Sequence, residues 1–339
     1  MIKTERILLF NVNWLGDVVF STAVIRNLRY NFPDAYIACA LPARCRDILI
    51  NNPNLDEIIL FDERIENRSL ISKLKFIFSL RSKKFNRVYF LHRSASRMFI
   101  CFLAGIKKRI GYARKKSSWF LTDKIKSQDI NNVHRLDYYL GVLRGSGLKI
   151  KDRHTDFFFN EADEKKARQL IGKTDNFFVG INPGGNWGPK RWPKDKWIEL
   201  VKRLSSLPGV RILITGGAKD KLLAEEIKTG AGIEADILCG KLNLNEFAAL
   251  CKFLDIFITA DSGPLHIANA SRVKHIVALF GPTSALLTGP YPKGAGIDIL
   301  KKDVGCKLPC YNSNCPDNRC MKAISVDEVL EIVKKYAKN

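Results

Sequence analysis

Two short loops, half a chain apart, hold the side chains best suited to chemistry. Asn13-Trp14-Leu15-Gly16-Asp17 sets a carboxylate directly behind a glycine, and Asp261-Ser262-Gly263-Pro264-Leu265-His266 groups an acid, a hydroxyl and an imidazole. Each loop follows an apolar run that reads as a buried strand, Ile7 to Val12 and Ile256 to Thr259, and each opens a segment with helical spacing. Proteins of the α/β class bind ligands where strands hand over to helices, so one such loop in each half predicts a site assembled from two domains. Asp17, behind its glycine at a strand end, is placed to act as a general base. Capping the helix that starts near Val18 is the alternative, and the two roles are compatible.

Asn182-Pro183-Gly184-Gly185-Asn186-Trp187-Gly188-Pro189-Lys190-Arg191-Trp192-Pro193 is the richest loop of the second half. Its glycines let the backbone approach a ligand closely, and Lys190 with Arg191 bring two positive charges beside it. A helix follows around Asp195, and helix N-terminal amides attract anions. The set suits a phosphate or diphosphate clamp; a plain Gly-Pro turn with surface cations is the alternative. In the other loop Ser262, Gly263 and Pro264 open a helix whose amides suit the same diphosphate. Asp261 reads as a helix cap or as a partner for a ligand hydroxyl, and His266 as packing beneath the loop rather than as a base. Asp220, in Gly216-Gly217-Ala218-Lys219-Asp220, suits a ribose hydroxyl, with a helix N-cap as the alternative. These loops match neither a P-loop nor a G-x-G-x-x-G fingerprint, which argues against ATP hydrolysis and hydride transfer. No Asp-x-Asp pair occurs, so a metal-bridged diphosphate lacks an evident ligand set. Lys190, Arg191 and helix amides are left to neutralise a leaving group.

The elements that must position these groups alternate along the chain. Strand patterns at 6–12, 35–41, 58–61 and 87–91 interleave with helical ones at 18–30, 44–51, 69–80 and 132–143. The second half repeats the plan, with strands at 177–182, 211–215, 255–259 and 275–280 and helices at 194–207, 220–229, 244–252 and 265–270. Such βαβ alternation predicts parallel sheets with helices on both faces, and 339 residues exceed one typical core. The expectation is an α/β protein of two Rossmann-like domains facing each other across a cleft. Domain one spans 1–150, a linker region 151–175, and domain two 176–339 with a Cys-rich segment 306–320 and a C-terminal helix.

The formal net charge is +22, and residues 64–126 alone hold 18 basic and 2 acidic side chains. Apolar residues are interleaved with them, as in Leu70-Ile71-Ser72-Lys73-Leu74-Lys75-Phe76-Ile77-Phe78. That mixture suits an anionic membrane surface, at about 1 kcal/mol per basic residue; a solvated basic face is the plainer reading. No zinc finger or RNP box accompanies the charge, so nucleic acid is not expected as a partner. No run of about 18 apolar residues is present and Met1-Ile2-Lys3 leads straight into a strand pattern, so a cytoplasmic protein peripheral to the membrane is expected. Nine cysteines without an export signal argue against a disulfide framework. Cys306, Cys310, Cys315 and Cys320 are spread more evenly than zinc knuckles, so zinc or iron there is the lesser reading and free thiols the plainer one.

Taken in order, these motifs resemble the ADP-heptose:lipopolysaccharide heptosyltransferases, glycosyltransferase family 9, over nearly the whole chain. The resemblance rests on Trp14-Leu15-Gly16-Asp17, Asn31-Phe32-Pro33-Asp34-Ala35, Ala104-Gly105-Ile106 through Arg109-Ile110-Gly111, and Asn182-Pro183-Gly184-Gly185. It continues through Lys190-Arg191-Trp192-Pro193, Asp261-Ser262-Gly263 with His266, and Phe280-Gly281-Pro282-Thr283. It implies a GT-B fold and heptose transfer with inversion from ADP-heptose to a lipid A-linked core oligosaccharide, with no cofactor required. By resemblance Asp17 is the base and Lys190 the phosphate lysine. Asp220 stands where the family often has a Glu on the donor ribose, and Asp261, Ser262 and Gly263 bracket diphosphate and sugar. Asn11 and Asn13 stand near positions where many relatives carry Arg. Two other readings stay open: the same fold with another nucleotide-sugar or acceptor, and a non-catalytic protein that binds nucleotide or anionic lipid.

Overall fold

The computed structural model describes residues 5–62, 68–114, 118–172, 175–292 and 296–337. The chain divides into two compact units, Met1–Phe158 and Phe159–Asn339. The segment 151–175, read as containing a linker, holds helix Glu161–Ile171 in the second unit. That helix is closed at its start by a reciprocal capping box between Asn160 and Asp163, and only Ala167 and Ile171 are buried.

The first unit is built on a six-stranded parallel sheet: β1 (Arg6–Phe10), β2 (Tyr36–Leu41), β3 (Glu57–Leu60), β4 (Arg87–Phe90), β5 (Lys108–Tyr112) and β6 (Asp123–Ile125). The spatial order is β3-β2-β1-β4-β5-β6. Ile7, Leu8, Leu9 and Phe10 are buried, as expected of a central parallel strand covered on both faces. Helices Leu15–Asn31 and Arg135–Gly145 pack together, and helices Leu70–Ser82 and Ala95–Leu103 form another pair. A core cluster of Phe10, Phe61, Phe76, Phe90 and Met98 joins the second pair to the sheet.

The second unit repeats the plan with β7 (Phe177–Asn182), β8 (Val210–Ile214), β9 (Asp236–Ile237), β10 (Ile256–Ala260), β11 (His275–Phe280) and β12 (Ile297–Lys301). All pairs are parallel, in the order β12-β11-β10-β7-β8-β9. Trp197, Leu200, Val201 and Leu204 bury one face of helix Lys194–Ser205, and the C-terminal helix Val326–Ala337 adds Val329, Leu330 and Val333 to the same core.

Each sheet starts in its middle and grows outward in both directions. The order therefore reverses between β1 and β4 in one unit and between β7 and β10 in the other. Loops that leave the carboxyl ends of those strands diverge, and ligands of open α/β sheets bind in the crevice so formed. Three of the four loops at these reversals are the ones singled out by their residues. The fourth follows β4 and leads to helix Ala95–Leu103, which sequence patterning did not reveal.

Candidate active site

In the first unit the chain leaves β1 through a tightly held turn. Asn11 is fully buried; its Nδ2 donates to Ser21 Oγ at 2.8 Å, and its Oδ1 accepts the Val12 amide at 2.8 Å. Arg97, 3% exposed, reaches in from the helix after β4 and donates to the Asn11 carbonyl and to Asn13 Oδ1, each at 2.8 Å. Its guanidinium also lies 5.2 Å from the Phe10 ring centroid. An unpaired charge would be too costly at this depth, so these acceptors and the aromatic face are what allow an arginine to stay there. Arg44 grips the same turn from outside, donating to the Asn13 carbonyl at 2.9 Å and pairing with Asp62 at 2.6 Å. Two arginines distant in sequence thus bind Asn11 and Asn13.

The turn delivers Trp14 and Asp17. Helix Leu15–Asn31 begins earlier than the Val18 start expected, with Trp14 in the N-cap place and Gly16 in the first turn. Asp17 is therefore not the cap; it sits in the first helical turn, where the helix dipole favours a carboxylate. Trp14 caps without a side-chain hydrogen bond and is 67% exposed. Tyr139, from the neighbouring helix Arg135–Gly145, donates its hydroxyl to Asp17 Oδ1 at 2.7 Å. Burial, then the charge and hydrogen bond of Asp17, raise the Tyr139 phenol well above its ordinary range. The phenol therefore remains a proton donor to Asp17 at any working pH. Burial also pushes the nearby Cys45 thiol up to about 11; Arg44 opposes the shift, and Asp17 and Asp62 add to it.

In the second unit Lys190 ends a short 3-10 turn, Gly188–Lys190, after the glycine-rich loop. Its Nζ lies 2.7 Å from Asp261 Oδ2, with the Asp261 side chain 4% exposed at the end of β10. His266 Nε2 lies 3.6 Å from the other carboxylate oxygen, and Thr288 Oγ1 donates to Oδ2 at 3.3 Å. Burial alone would raise the Asp261 pKa. The neighbouring His266 and the charge of Lys190 outweigh it and hold the carboxyl well below the usual range. Helix Gly263–Ala270 starts beside it, with Pro264 in its first turn and Ser262 in the N-cap place making no side-chain cap. The Ser262 and Thr283 hydroxyls are both buried without a hydrogen-bond partner among the described residues. Buried polar groups are nearly always paired, so donors left over here have capacity for a ligand. Asp261 precedes the cap position, which removes helix capping as its role.

Asp220 and Arg191 serve the loop itself. The Asp220 carboxylate accepts the Gly217 amide at 2.9 Å and lies so close to Gly184 that a Cβ there would stand 2.4 Å from it. Glycine at 184 is thus required by the approach of that acid. Arg191 is exposed and donates Nε and Nη2 to the Gly185 carbonyl at 2.9 and 2.6 Å. Trp192 anchors the loop's far end, donating to the Ile324 carbonyl at 3.1 Å and meeting Trp197 edge-on at 5.0 Å.

Among the described residues no three or more His, Cys, Asp or Glu side chains come together as a metal site. Of the cluster, Cys306 is exposed and Cys310, Cys315 and Cys320 are partly buried. The segment folds over the turn after β11: the Cys310 amide donates to the Pro282 carbonyl at 2.7 Å, and a Cβ on Gly281 would stand 3.1 Å from Cys320 Sγ.

Comparison with known proteins gives a consistent result. The chain is 28% identical to lipopolysaccharide heptosyltransferase 2 of Escherichia coli (strain K12), covering 84% of this chain and 85% of that protein. It is also 28% identical to lipooligosaccharide heptosyltransferase 2 of a Campylobacter jejuni strain, covering 96% of each. The crystal structure of a family 9 glycosyl transferase from Veillonella parvula shares the fold with a TM-score of 0.87 at 23% identity, covering 99% of this chain and 98% of that one. The structure of E. coli ADP-heptose lps heptosyltransferase II does so with a TM-score of 0.79 at 24% identity over 98% of each chain. The fold is that of a glycosyltransferase of the GT-B type. Residues 73–317 match glycosyltransferase family 9 (heptosyltransferase), and the chain belongs to that family. Within it, Trp14-Leu15-Gly16-Asp17 and Lys190-Arg191-Trp192-Pro193 look most like heptosyltransferase II, in line with those relatives.

The Asp261 cluster has a pH signature. A carboxyl held below its unfolded value contributes stability in full above the unfolded pKa of about 3.9, and that contribution is lost as pH falls toward the folded value. Asp261→Asn leaves the Lys190 ammonium without its partner and is expected to cost roughly 1–3 kcal/mol at pH 7. Denaturant unfolding at several pH values checks this: the gap to wild type narrows below about pH 4, whereas a gap constant down to pH 2 contradicts the ion-pair account.

Proposed function

We propose that this chain is an inverting glycosyltransferase that moves L-glycero-D-manno-heptose from ADP-heptose to the inner-core heptose of lipopolysaccharide. The observation that carries the reading is the pairing of Asp17 with Tyr139 at the β1 carboxyl end, in a chain similar to heptosyltransferases over most of its length. Tyr139 holds one oxygen of the carboxylate and fixes its orientation. Asp17 takes a proton from the acceptor hydroxyl as its oxygen attacks the anomeric carbon, in a single displacement that inverts the centre. Trp14 and Gly16 shape the acceptor side of that step.

ADP leaves against fixed positive charge. Lys190, Arg191, the Ser262 hydroxyl and the amides opening helix Gly263–Ala270 are assigned to the diphosphate. Gly184 and Gly185 let the backbone approach it, and Asp220 is assigned to the ribose. Asp261 and His266, beside Pro264, are assigned to the sugar, with Asp261 also aiming Lys190. No cofactor is assigned, because cationic side chains and amides supply the neutralisation. The described residues contain no helix long and apolar enough to cross a membrane. The reading places the protein at the cytoplasmic face of the inner membrane, where a lipid A-linked acceptor is met.

Asp17→Asn is expected to leave ADP-heptose affinity within about twofold of wild type by calorimetry while kcat falls ~10²-fold or more. Near-normal turnover contradicts the base assignment. Tyr139→Phe removes a hydrogen bond that favours the charged carboxylate. It is expected to move the acidic limb of the kcat/KM pH profile upward with a smaller loss of rate. An unmoved limb shows that Tyr139 only packs against the helix.

A further inference from the structure

Helix Leu70–Ser82 is apolar over more than half its circumference. Phe76, Ile77 and Leu80 are buried in the core of the first unit. Leu70, Ile71, Leu74 and Phe78 fall within about 100° of arc that adjoins the buried one and faces outward, given 3.6 residues per turn. They are 73%, 67%, 44% and 64% exposed. Helix Ala95–Leu103 packs against this one and repeats the pattern. It buries Met98, Ile100 and Cys101, and leaves Phe99, Phe102 and Leu103 between 41% and 48% exposed. Phe99 and Phe102 meet Phe120 at 5.1 and 5.8 Å, and the adjoining Trp119 is 85% exposed. A helix apolar over so wide an arc is ordinarily buried over that arc, and single exposed apolar residues do not line up as two stripes on neighbouring helices.

The same elements carry the chain's charge. Lys75, Arg81, Lys107, Lys108, Arg114 and Lys124 are all exposed, and the Arg109 guanidinium lies 5.3 Å over the Phe102 ring. Residues 64–126 hold 18 basic and 2 acidic side chains, although 64–67 and 115–117 lie outside the described residues. What covers this face must therefore be apolar and anionic together. A second copy of the chain would set the same positive field against itself, and a nucleic acid has no use for eight bare apolar side chains.

We propose that the face formed by helices Leu70–Ser82 and Ala95–Leu103 with Trp119 docks into an anionic phospholipid bilayer. Its apolar stripes enter the headgroup–acyl boundary and its lysines and arginines lie on the lipid phosphates. This deepens the proposed function by naming the surface at which a lipid-anchored acceptor is met. Its test is independent of that reading, because the vesicles used contain no acceptor.

The experiment is sedimentation of the full chain with vesicles of phosphatidylglycerol and phosphatidylethanolamine, against vesicles of phosphatidylcholine alone. The variants are Phe78→Ser with Phe102→Ser, and separately Lys107→Gln with Lys108→Gln; circular dichroism checks that each folds. The wild type is expected to bind the anionic vesicles selectively and to shift its tryptophan emission to the blue, a shift that Trp119→Phe loses. The apolar double variant is expected to bind roughly tenfold or more weakly, the partition cost of two large side chains. The lysine pair is expected to show a weaker dependence on anionic lipid and on salt. Equal binding by the apolar variant, no preference for anionic lipid, or no binding by the wild type overturns the proposal. So does a wild-type dimer in sedimentation equilibrium that the apolar variant dissociates, which would make the face self-associating.

Discussion

A parallel sheet that begins in its middle can reverse its direction of growth only once, and the reversal decides where function can sit. Here the reversals fall between β1 and β4 and between β7 and β10. At each one, two carboxyl-end loops diverge and their backbone groups have no strand to pair with, so they face a ligand. The first pair of loops holds Asn13 to Asp17 and the approach to Arg97. The second holds Gly184 to Lys190 and Asp261 to Gly263. Every group assigned to chemistry or binding, Asp220 and Tyr139 excepted, belongs to a loop or helix start at these two points.

Placing charge there has a cost that the local structure meets in different ways. Arg97 is buried, and two acceptors with an aromatic ring offset its desolvation. Asp261 is buried too, and Lys190, His266 and Thr288 together keep it ionised. Asp17 is only half-buried, with one oxygen held by a phenol. The difference bears on the proposed roles: Asp261, held by Lys190, His266 and Thr288, is too well neutralised to serve as a base, and the half-buried Asp17 is the carboxylate to which that role is assigned. Lys190 shares its charge between Asp261 and the diphosphate assigned to it, so the acid that aims it also tempers it.

Much of this was legible in the sequence, for physical reasons that also set the limits. Central strands such as 177–182 and 275–280 are continuous apolar runs and were read with the bounds the structure shows. The edge strand β3 was read, but β5, β6, β9 and β12 were missed: β5 is Lys-Arg-Ile-Gly-Tyr, β6 is Asp-Lys-Ile, β9 has two residues, and β12 is only partly buried, so none shows a two-faced apolar run. The strand-end loops stood out because their glycines, prolines and charges are tied to local backbone geometry. Tyr139, Arg97, Arg44 and Thr288 did not, because their roles arise only from contacts between distant segments. The outward apolar stripe of helix Leu70–Ser82 was visible only as hydrophobics mixed with lysines, and that of helix Ala95–Leu103 not at all, since a sequence does not say which face of a helix is covered.

The central claim is the reaction, and ADP release from ADP-heptose with and without a mono-heptosylated lipid acceptor tests it most directly, with the configuration of the new linkage read by NMR. The account predicts release that requires the acceptor and a product inverted at the transferred anomeric carbon. Acceptor-independent release, retention at that carbon, or no release with any heptose acceptor would contradict it.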